Sequence, residues 1–392
     1  MRILVLTERF YPEDFLINDL CSELKKEGVE IEVLTQVPSY PKDAIYEGYR
    51  NRLFQTTNEY LGIPIHRVRT VLGYNRKLRS KVINYISFAF WTSLWALFNG
   101  WKYQRIFTYQ TGPLSMASAG IIFSFIWRKK CMIWTQDIWP DTVYHYGIKK
   151  TFFTDLFLKI VVKGIYSAYN NIAVSCPGFV QLLRPYTKKK IYYIPQWATN
   201  GSQKTSKKEV KDKKIFTFAG NIGSVQNIDL LVEAFECLPK SVDAELRIIG
   251  DGIYYKKIKS MLEKSNNKNI VLVGKRPKDE MPKWFYESDV LIISLKPQFN
   301  LTIPAKFQAY LAAGRAIFGA ISGDVAMMID RYSLGYTADP SSRESITNTF
   351  IRFCNGSSAQ FDLWQKNALY LSTTMFDRTK ILLSIKDLLH II

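Results

Sequence analysis

The chain has 392 residues, 47% hydrophobic and 22% charged, a balance that excludes long disorder and suggests two or three domains. Its net charge of +19 is concentrated early: residues 1–200 hold 26 Lys/Arg against 14 Asp/Glu, and 201–214 add six Lys against Glu209 and Asp212, so an anionic partner is expected there. Cys21, Cys131, Cys176, Cys237 and Cys354 are too widely spaced for a zinc cluster or a disulfide framework, and His66, His145 and His390 form no ligand set, so reduced thiols, no bound metal and no cofactor are expected.

In chain order, MRILVLTERFYPED carries too short an apolar run for a signal peptide, and Ile3–Thr7 reads as a buried strand. Phe15–Glu27 sets Leu16, Leu20 and Leu24 at helical spacing, Gly28 ends it, and Ile31–Thr35 follows as a strand. This β-α-β opening implies a parallel sheet with a right-handed crossover. Apolar runs at Ile65–Val68, Arg105–Tyr109, Cys131–Trp134, Asn171–Val174 and Ile191–Ile194 extend it into one doubly wound α/β domain over 1–198. TNGSQKTSKKEVKDKK (199–214) reads as an exposed linker. The pattern then restarts. Strands are expected at Ile215–Ala219, Glu245–Ile249, Ile270–Val273, Val290–Ser294 and Ala316–Ala320. Helices are expected at Ile228–Cys237, Tyr254–Ser265, Pro282–Ser288 and Lys306–Ala313, giving a second Rossmann-like domain over 215–375. Two such domains would place a ligand cleft at their C-terminal strand ends.

No Asp or Glu lies between Glu59 and Asp137, where eleven Lys/Arg occur. VINYISFAFWTSLWALF (82–98) is uncharged and aromatic, with Arg76, Lys77, Arg79 and Lys81 before it and Lys102 and Arg105 after. Its 17 residues, broken by Asn84, Ser87, Thr92 and Ser93, fall short of the about 20 that span a bilayer. A transmembrane helix, a buried domain helix and a helix facing an anionic membrane surface compete for it. Nucleic-acid binding is not expected, since the aromatics sit inside an apolar run and no RNA-binding motif appears.

Three segments read as a nucleotide site. FAGNIGSVQNIDLLVEAF (218–235) is strand, loop and helix: Gly220 and Gly223 allow close backbone approach, the amides of 220–223 including Ile222 lie at a helix start, and Asn221 and Gln226 offer neutral donors. LKPQFNLTIPAKFQAYLAAGRAIFG (295–319) enters a helix through Thr302, Ile303 and Pro304. A cation in a first helical turn opposes the helix dipole, so Lys306 makes sense if an anion sits beside it; Asn300 and Gln308 would meet the sugar. Gly250, Lys275 and Arg276, at the next two strand ends, would lie beside the base and ribose. In the first domain, Asp137 ends a strand and is the candidate for orienting or deprotonating an attacking hydroxyl, with a helix N-cap as the competing role. Glu8, Arg9, Asn18 and Gln136 are candidates for the acceptor pocket.

The series FAGNIG, LRIIGDG, VLVGK, ESDVLIISL and IPAKFQAYLAAGRAI resembles the C-terminal half of glycosyltransferase family 4. The N-terminal ILVLTERFYPED and the block WTQDIWPDTV (134–143) resemble that family's bacterial capsule, O-antigen and colanic-acid branch. The resemblance covers roughly residues 1–375. It implies the GT-B fold, two facing Rossmann-like domains with a C-terminal helix (376–392) returning to the first. It also implies transfer with retention, and since the sequence has no Asp-x-Asp motif for a diphosphate-bridging ion, metal-independent transfer is expected. Thr-Ile-Pro-x-Lys with Gln is similar to an N-acetylfucosamine-transferring subgroup, which points to a UDP-linked N-acetylated deoxysugar. The implied acceptor is a lipid-linked diphospho-sugar, and the implied location is cytoplasmic, peripheral on the inner face of the plasma membrane. The family's paired glutamates fall here on Asn300 and Gln308, and the Arg and Lys of its first phosphate loop on Asn221 and Gln226. A nucleotide-sugar 2-epimerase of the same fold and a non-catalytic basic membrane-binding protein are the competing readings.

Overall fold

A computed structural model describes residues 1–73, 78–145, 149–197, 213–265, 267–299 and 301–391. The chain divides into two units, Met1–Ile194 with Leu382–Ile392, and Pro195–Ile381. The linker read at 199–214 lies outside the described residues except for 213–214, as do Arg76 and Lys77.

Unit 1 is built on an eight-stranded sheet of order β3-β4-β2-β1-β5-β6-β7-β8. In chain order its elements are β1 (Arg2–Thr7), α1 (Leu16–Lys26), β2 (Glu30–Gln36), β3 (Phe54–Tyr60), β4 (Ile63–Val68), α2 (Leu78–Asn99) and β5 (Arg105–Gln110). There follow α3 (Ala119–Ile121), running into a π-helical turn (Ile122–Ile126), β6 (Lys130–Thr135), α4 (Asp141–His145), α5 (Phe152–Ser167), β7 (Asn171–Val174), α6 (Pro177–Leu183) and β8 (Ile191–Tyr193). β1 and β2 run parallel in the register Ile3↔Ile31 and Val5↔Val33, and all four residues are buried. α1 covers them with Ile17, Leu20, Cys21 and Leu24, the i, i+3, i+4, i+7 face of an amphipathic helix. β3 escapes a reading of apolar runs: FQTTNEY is mostly polar, and it is an edge strand held antiparallel on β4 and by the Glu59–Arg67 ion pair. β1→β2 steps one way along the sheet and β4→β5→β6→β7 the other. Right-handed crossovers therefore put α2, α3 and α5 on one face and α1 on the opposite face.

Unit 2 has a six-stranded parallel sheet of order β11-β10-β9-β12-β13-β14. Its elements are β9 (Lys214–Ala219), α7 (Ile228–Glu236), β10 (Ala244–Ile249), α8 (Tyr255–Lys264), β11 (Ile270–Gly274), α9 (Met281–Glu287), β12 (Val290–Ser294), α10 (Ala305–Ala313) and β13 (Ala316–Ala320). α11 (Asp324–Arg331), β14 (Gly335–Ala338), α12 (Arg343–Cys354) and α13 (Ser358–Thr374) complete it. Strands such as IFTFA and VLIIS are buried on both faces, as parallel strands between helices must be. Phe350 of α12 packs edge-on against Phe216, Phe235 and Phe318 at centroid distances of 4.9, 5.2 and 4.9 Å. The last helix, α14 (Arg378–Leu389), belongs to unit 1 from Leu382 onward. There Lys386 pairs with Glu27 at 2.9 Å, and Asn171 donates to the Leu388 carbonyl at 2.5 Å.

Candidate functional site

In unit 2 the strand order reverses between β9 and β12, so the loops that follow these strands flank a topological switch point, the usual ligand position of an open α/β sheet. The backbone stitches these loops together. Ile222 N donates to Asp251 O at 2.8 Å, Tyr254 N to Ile222 O at 2.9 Å, and Lys296 N to Val225 O at 2.9 Å. Gly250 has φ +141°, and a Cβ there would sit 1.8 Å from the carbonyl oxygen of Gly220. Backbone packing alone thus requires a glycine at this position. Two amides expected to bind phosphate are also already engaged: that of Ile222 as above, and that of Gly223 by the Gln226 Oε1 at 3.1 Å. Gln226 closes its own loop through that oxygen, while Gly220 and Asn221 stay exposed on the loop.

α10 begins at Pro304 with no side-chain cap among the described residues; Phe307 N donates to Pro304 O at 2.8 Å, which leaves the amides of Ala305 and Lys306 without an intrahelical acceptor. In the first turn, Lys306 is partly exposed, but its Nζ is buried with no hydrogen-bond partner among the described residues. The ammonium lies 3.8 Å from the centre of the Phe218 ring, and a Cβ on Gly220 would lie 3.1 Å from it. Burial lowers its pKa to about 7. From 10.5, that shift corresponds to roughly 5 kcal/mol against the charged form. Tyr310, on the next turn, fixes α10 to the end of β9: its hydroxyl accepts from Ala219 N at 3.1 Å and donates to Ala219 O at 3.3 Å. Gln308 does not face a sugar. It is 2% exposed, and its amide nitrogen donates to the carbonyls of Pro304 and Ala305 at 3.0 and 3.1 Å. Thr302 is exposed beside the helix start, Ile303 is packed inward, and Asn300 lies outside the described residues. Lys275 and Arg276 are both exposed, and the Arg276 guanidinium lies 5.7 Å from the centre of the Trp284 ring.

In unit 1 the sheet order reverses between β1 and β5. Glu8 and Arg9, read as acceptor contacts, are each 4% exposed and paired with one another at 3.1 Å. Glu8 also accepts from Gln36 Nε2 at 3.2 Å, and Arg9 reaches Glu13 at 3.4 Å. The Glu13 carboxylate in turn accepts from the amides of Ser39 and Tyr40 at 2.8 and 2.7 Å. This network frames the switch point: a Cβ on Gly112, just after β5, would meet Glu8 Oε2 at 2.4 Å. The Asn18 side-chain amide donates to Glu13 O at 2.7 Å and its backbone carbonyl accepts from the Tyr60 hydroxyl, while its Oδ1 has no partner among the described residues. Asp137 follows β6, with its carbonyl held by Gln110 Nε2 at 3.0 Å; Gln136 N donates to Gln110 O at 2.8 Å. Its carboxylate accepts from the Thr142 hydroxyl at 2.6 Å, so it does help fix the turn before α4. Burial nevertheless pushes its pKa up to about 6, against the opposing hydrogen bonds and the charge of Lys81. Lys81 is itself lowered by burial, and both Glu8 and Asp137 oppose that shift. Gln110 and Gly112 carry no motif signal, Thr142 lies in the 134–143 block without being singled out, and Lys81 stands out only as one flanking charge of an apolar helix. Among the described residues, no three His, Cys, Asp or Glu converge as metal ligands.

α2 is buried along one side and exposed along the other. Asn84, Phe88, Thr92 and Trp95 are buried on one side, while Ile83, Ile86, Phe90 and Phe98 are 55%, 60%, 57% and 67% exposed on the other. Among the described residues no helix is long and apolar enough to cross a membrane.

Residues 201–366 match the family Glycosyl transferases group 1. The chain is 22% identical over 240 residues to the probable glycosyltransferase WbjE of Pseudomonas aeruginosa, a match spanning 57% of this chain and 60% of that protein. Sucrose-phosphate synthase from Thermosynechococcus elongatus superposes with a TM-score of 0.73 at 14% identity, over 99% of this chain and 97% of that one. Anabaena HepE in complex with UDP superposes with a TM-score of 0.65 at 13% identity, over 100% of both chains. The family match thus falls within the second unit, and the chain has the GT-B fold, built from two Rossmann-like units.

Proposed function

We propose that this protein transfers a sugar from a nucleoside diphosphate to a lipid-linked diphospho-sugar in bacterial surface polysaccharide synthesis, at the inner face of the plasma membrane. UDP carrying an N-acetylated deoxysugar such as N-acetylfucosamine is the leading donor. One observation carries the reading: the unpartnered, buried ammonium of Lys306 at the uncapped start of α10, beside Gly220 and at the switch point of the unit 2 sheet. A lone buried cation is unfavourable until an anion joins it. The match of this unit to glycosyl transferases group 1 and the UDP bound by HepE support a nucleoside diphosphate as that anion.

Transfer breaks the bond between the anomeric carbon and the diphosphate, whose oxygen takes the electron pair. An acceptor hydroxyl forms the new bond and gives up its proton. Lys306 and the amides of α10 would stabilise the charge growing on the departing diphosphate, a preorganised electrostatic role. Asp137 would orient the acceptor hydroxyl, with retention at the anomeric carbon as the family resemblance implies. This assignment uses no metal, and activity should survive dialysis against EDTA.

The test is a panel of UDP-sugars incubated with the full chain and a lipid acceptor extract, read by mass spectrometry. A glycosylated lipid is expected. Free epimer of the donor would identify an epimerase instead, and no reaction with any donor would leave a non-catalytic membrane-binding protein.

A further inference from the structure

The acid-free stretch drew attention to α2, yet the most exposed apolar face in unit 1 belongs to α5. Phe152, Phe153, Leu156, Phe157 and Ile160 are 75%, 80%, 46%, 65% and 62% exposed. They fall at i, i+1, i+4, i+5 and i+8, one continuous stripe of the helix, while Leu158, Val162, Ile165 and Tyr166 on the other side anchor it to the domain. So many large side chains facing water on one helix far exceed the scattered exposed apolar residues of ordinary surfaces.

Charge says what covers the face. Residues 142–190 hold eight Lys/Arg and a single acid, Asp155. That acid is neutralised by Lys159 at 2.6 Å, and Lys150 lies at 4.0 Å. Lys149, Lys150, Lys159 and Lys163 are exposed around the stripe, where their long stems can follow apolar surface while the ammonium groups reach outward. A protein partner would need an acidic rim around an apolar groove. An anionic bilayer presents both chemistries over a plane. A plane also suits the topology: α2, the π-helical turn and α5 lie on the same face of the sheet, and each exposes large apolar groups, with Phe125 and Ile126 at 60% and 51% in the turn.

We infer that α5 inserts its Phe152–Ile160 stripe into the interface of an anionic membrane, with the surrounding lysines on the lipid headgroups, and that it is the main anchor of unit 1. This rests on the lipid-linked acceptor proposed above and names the element that brings the enzyme to it. α5 lies in the interface plane rather than across the bilayer.

The test is co-sedimentation of the full chain with phosphatidylcholine vesicles, with and without phosphatidylglycerol. Phe153→Ser/Phe157→Ser is compared with wild type and with Phe90→Ser/Phe98→Ser, using UDP affinity and the thermal midpoint as controls for folding. Wild type should bind only vesicles containing phosphatidylglycerol. The α5 variant should bind them at least about tenfold more weakly with UDP affinity unchanged, since each removed aromatic ring withdraws a large apolar area from the interface. If the α5 variant binds like wild type while the α2 variant does not, the inference falls and membrane association stands. If wild type binds neither vesicle, both fall. Equal binding to neutral vesicles would remove the role of the lysines, and a stable dimer lost in the α5 variant would make the face a contact between two copies of this chain.

Discussion

The Lys306 ammonium stacks 3.8 Å from the centre of the Phe218 ring, with no hydrogen-bond partner among the described residues. An aromatic face offers a cation about 2 kcal/mol when desolvated, less than half of what burial removes. The pocket is therefore held in an unfavourable electrostatic state that a diphosphate relieves.

Lys306→Met follows from this imbalance. The folded pKa of about 7 lies below the unfolded value of 10.5, so the folded state resists protonation. The penalty is full below pH 7, shrinks as pH rises toward 10.5 and vanishes above it. Methionine keeps the apolar stem without the charge. The variant should be more stable than wild type by about 2 kcal/mol or more at pH 7, with the gap narrowing at pH 9.5, read by urea unfolding. UDP affinity should fall about thirtyfold or more, as expected when one partner of a buried ion pair is removed. A variant with lower stability and intact UDP binding would remove the lysine from the site.

The same group makes donor binding pH-dependent. A diphosphate beside Lys306 raises its pKa from about 7, so binding near neutrality takes up a proton. Titration calorimetry at pH 7.5 in buffers of different ionisation enthalpy should show net proton uptake. UDP affinity should weaken as pH rises from 7 to 9, and Lys306→Met should abolish both effects.

Gly250→Ala tests the stitching of the phosphate loop. Its Cβ would sit 1.8 Å from the Gly220 carbonyl oxygen, a backbone atom that cannot swing away, and φ +141° is strained for any L side chain. The variant should lose about 3 kcal/mol or more of stability. UDP affinity should drop as well, because relieving the clash moves Gly220, which borders the Lys306 ammonium. Unchanged stability would mean the loops are not packed as described.

How much of this was legible follows from what leaves a trace in composition. Central parallel strands such as Ile3–Thr7 and Val290–Ser294 are buried on both faces, so each is a short apolar run that could be bounded within a residue or two. β3 is an edge strand with polar residues on its exposed positions, and nothing distinguishes FQTTNEY from a loop. Lys306 was legible because a cation in a first helical turn contradicts the helix dipole. The role of Ile222 was not, since its amide is taken by Asp251, some thirty residues away; Gly223 and Gln308 were not, since a neutral side chain such as Gln226 or Gln308 can bond its own loop or helix as well as a ligand. The exposed stripe of α5 was hidden for a related reason: Phe152–Ser167 is apolar on both sides, and only the packing of Leu158 and Val162 decides which side is left to the outside.

Asp137 gives the last prediction. Its folded pKa of about 6 lies above the usual 3.8, so the protonated form is the one the fold favours. That contribution is present at low pH and disappears as pH rises through 6, leaving a buried carboxylate above it. The side chain keeps partial access to water, which tempers the penalty. Asp137→Asn preserves an oxygen for the Thr142 hydroxyl and removes the charge, so it should raise stability by about 1–2 kcal/mol at pH 8 and have no stabilising effect at pH 4. If the ionised carboxylate positions the acceptor hydroxyl, wild-type turnover should fall off below pH 6. The variant should lose that acidic limb and turn over at least about tenfold more slowly, with UDP affinity unchanged. A stabilised variant that keeps both its rate and its acidic limb would confine Asp137 to holding the turn before α4.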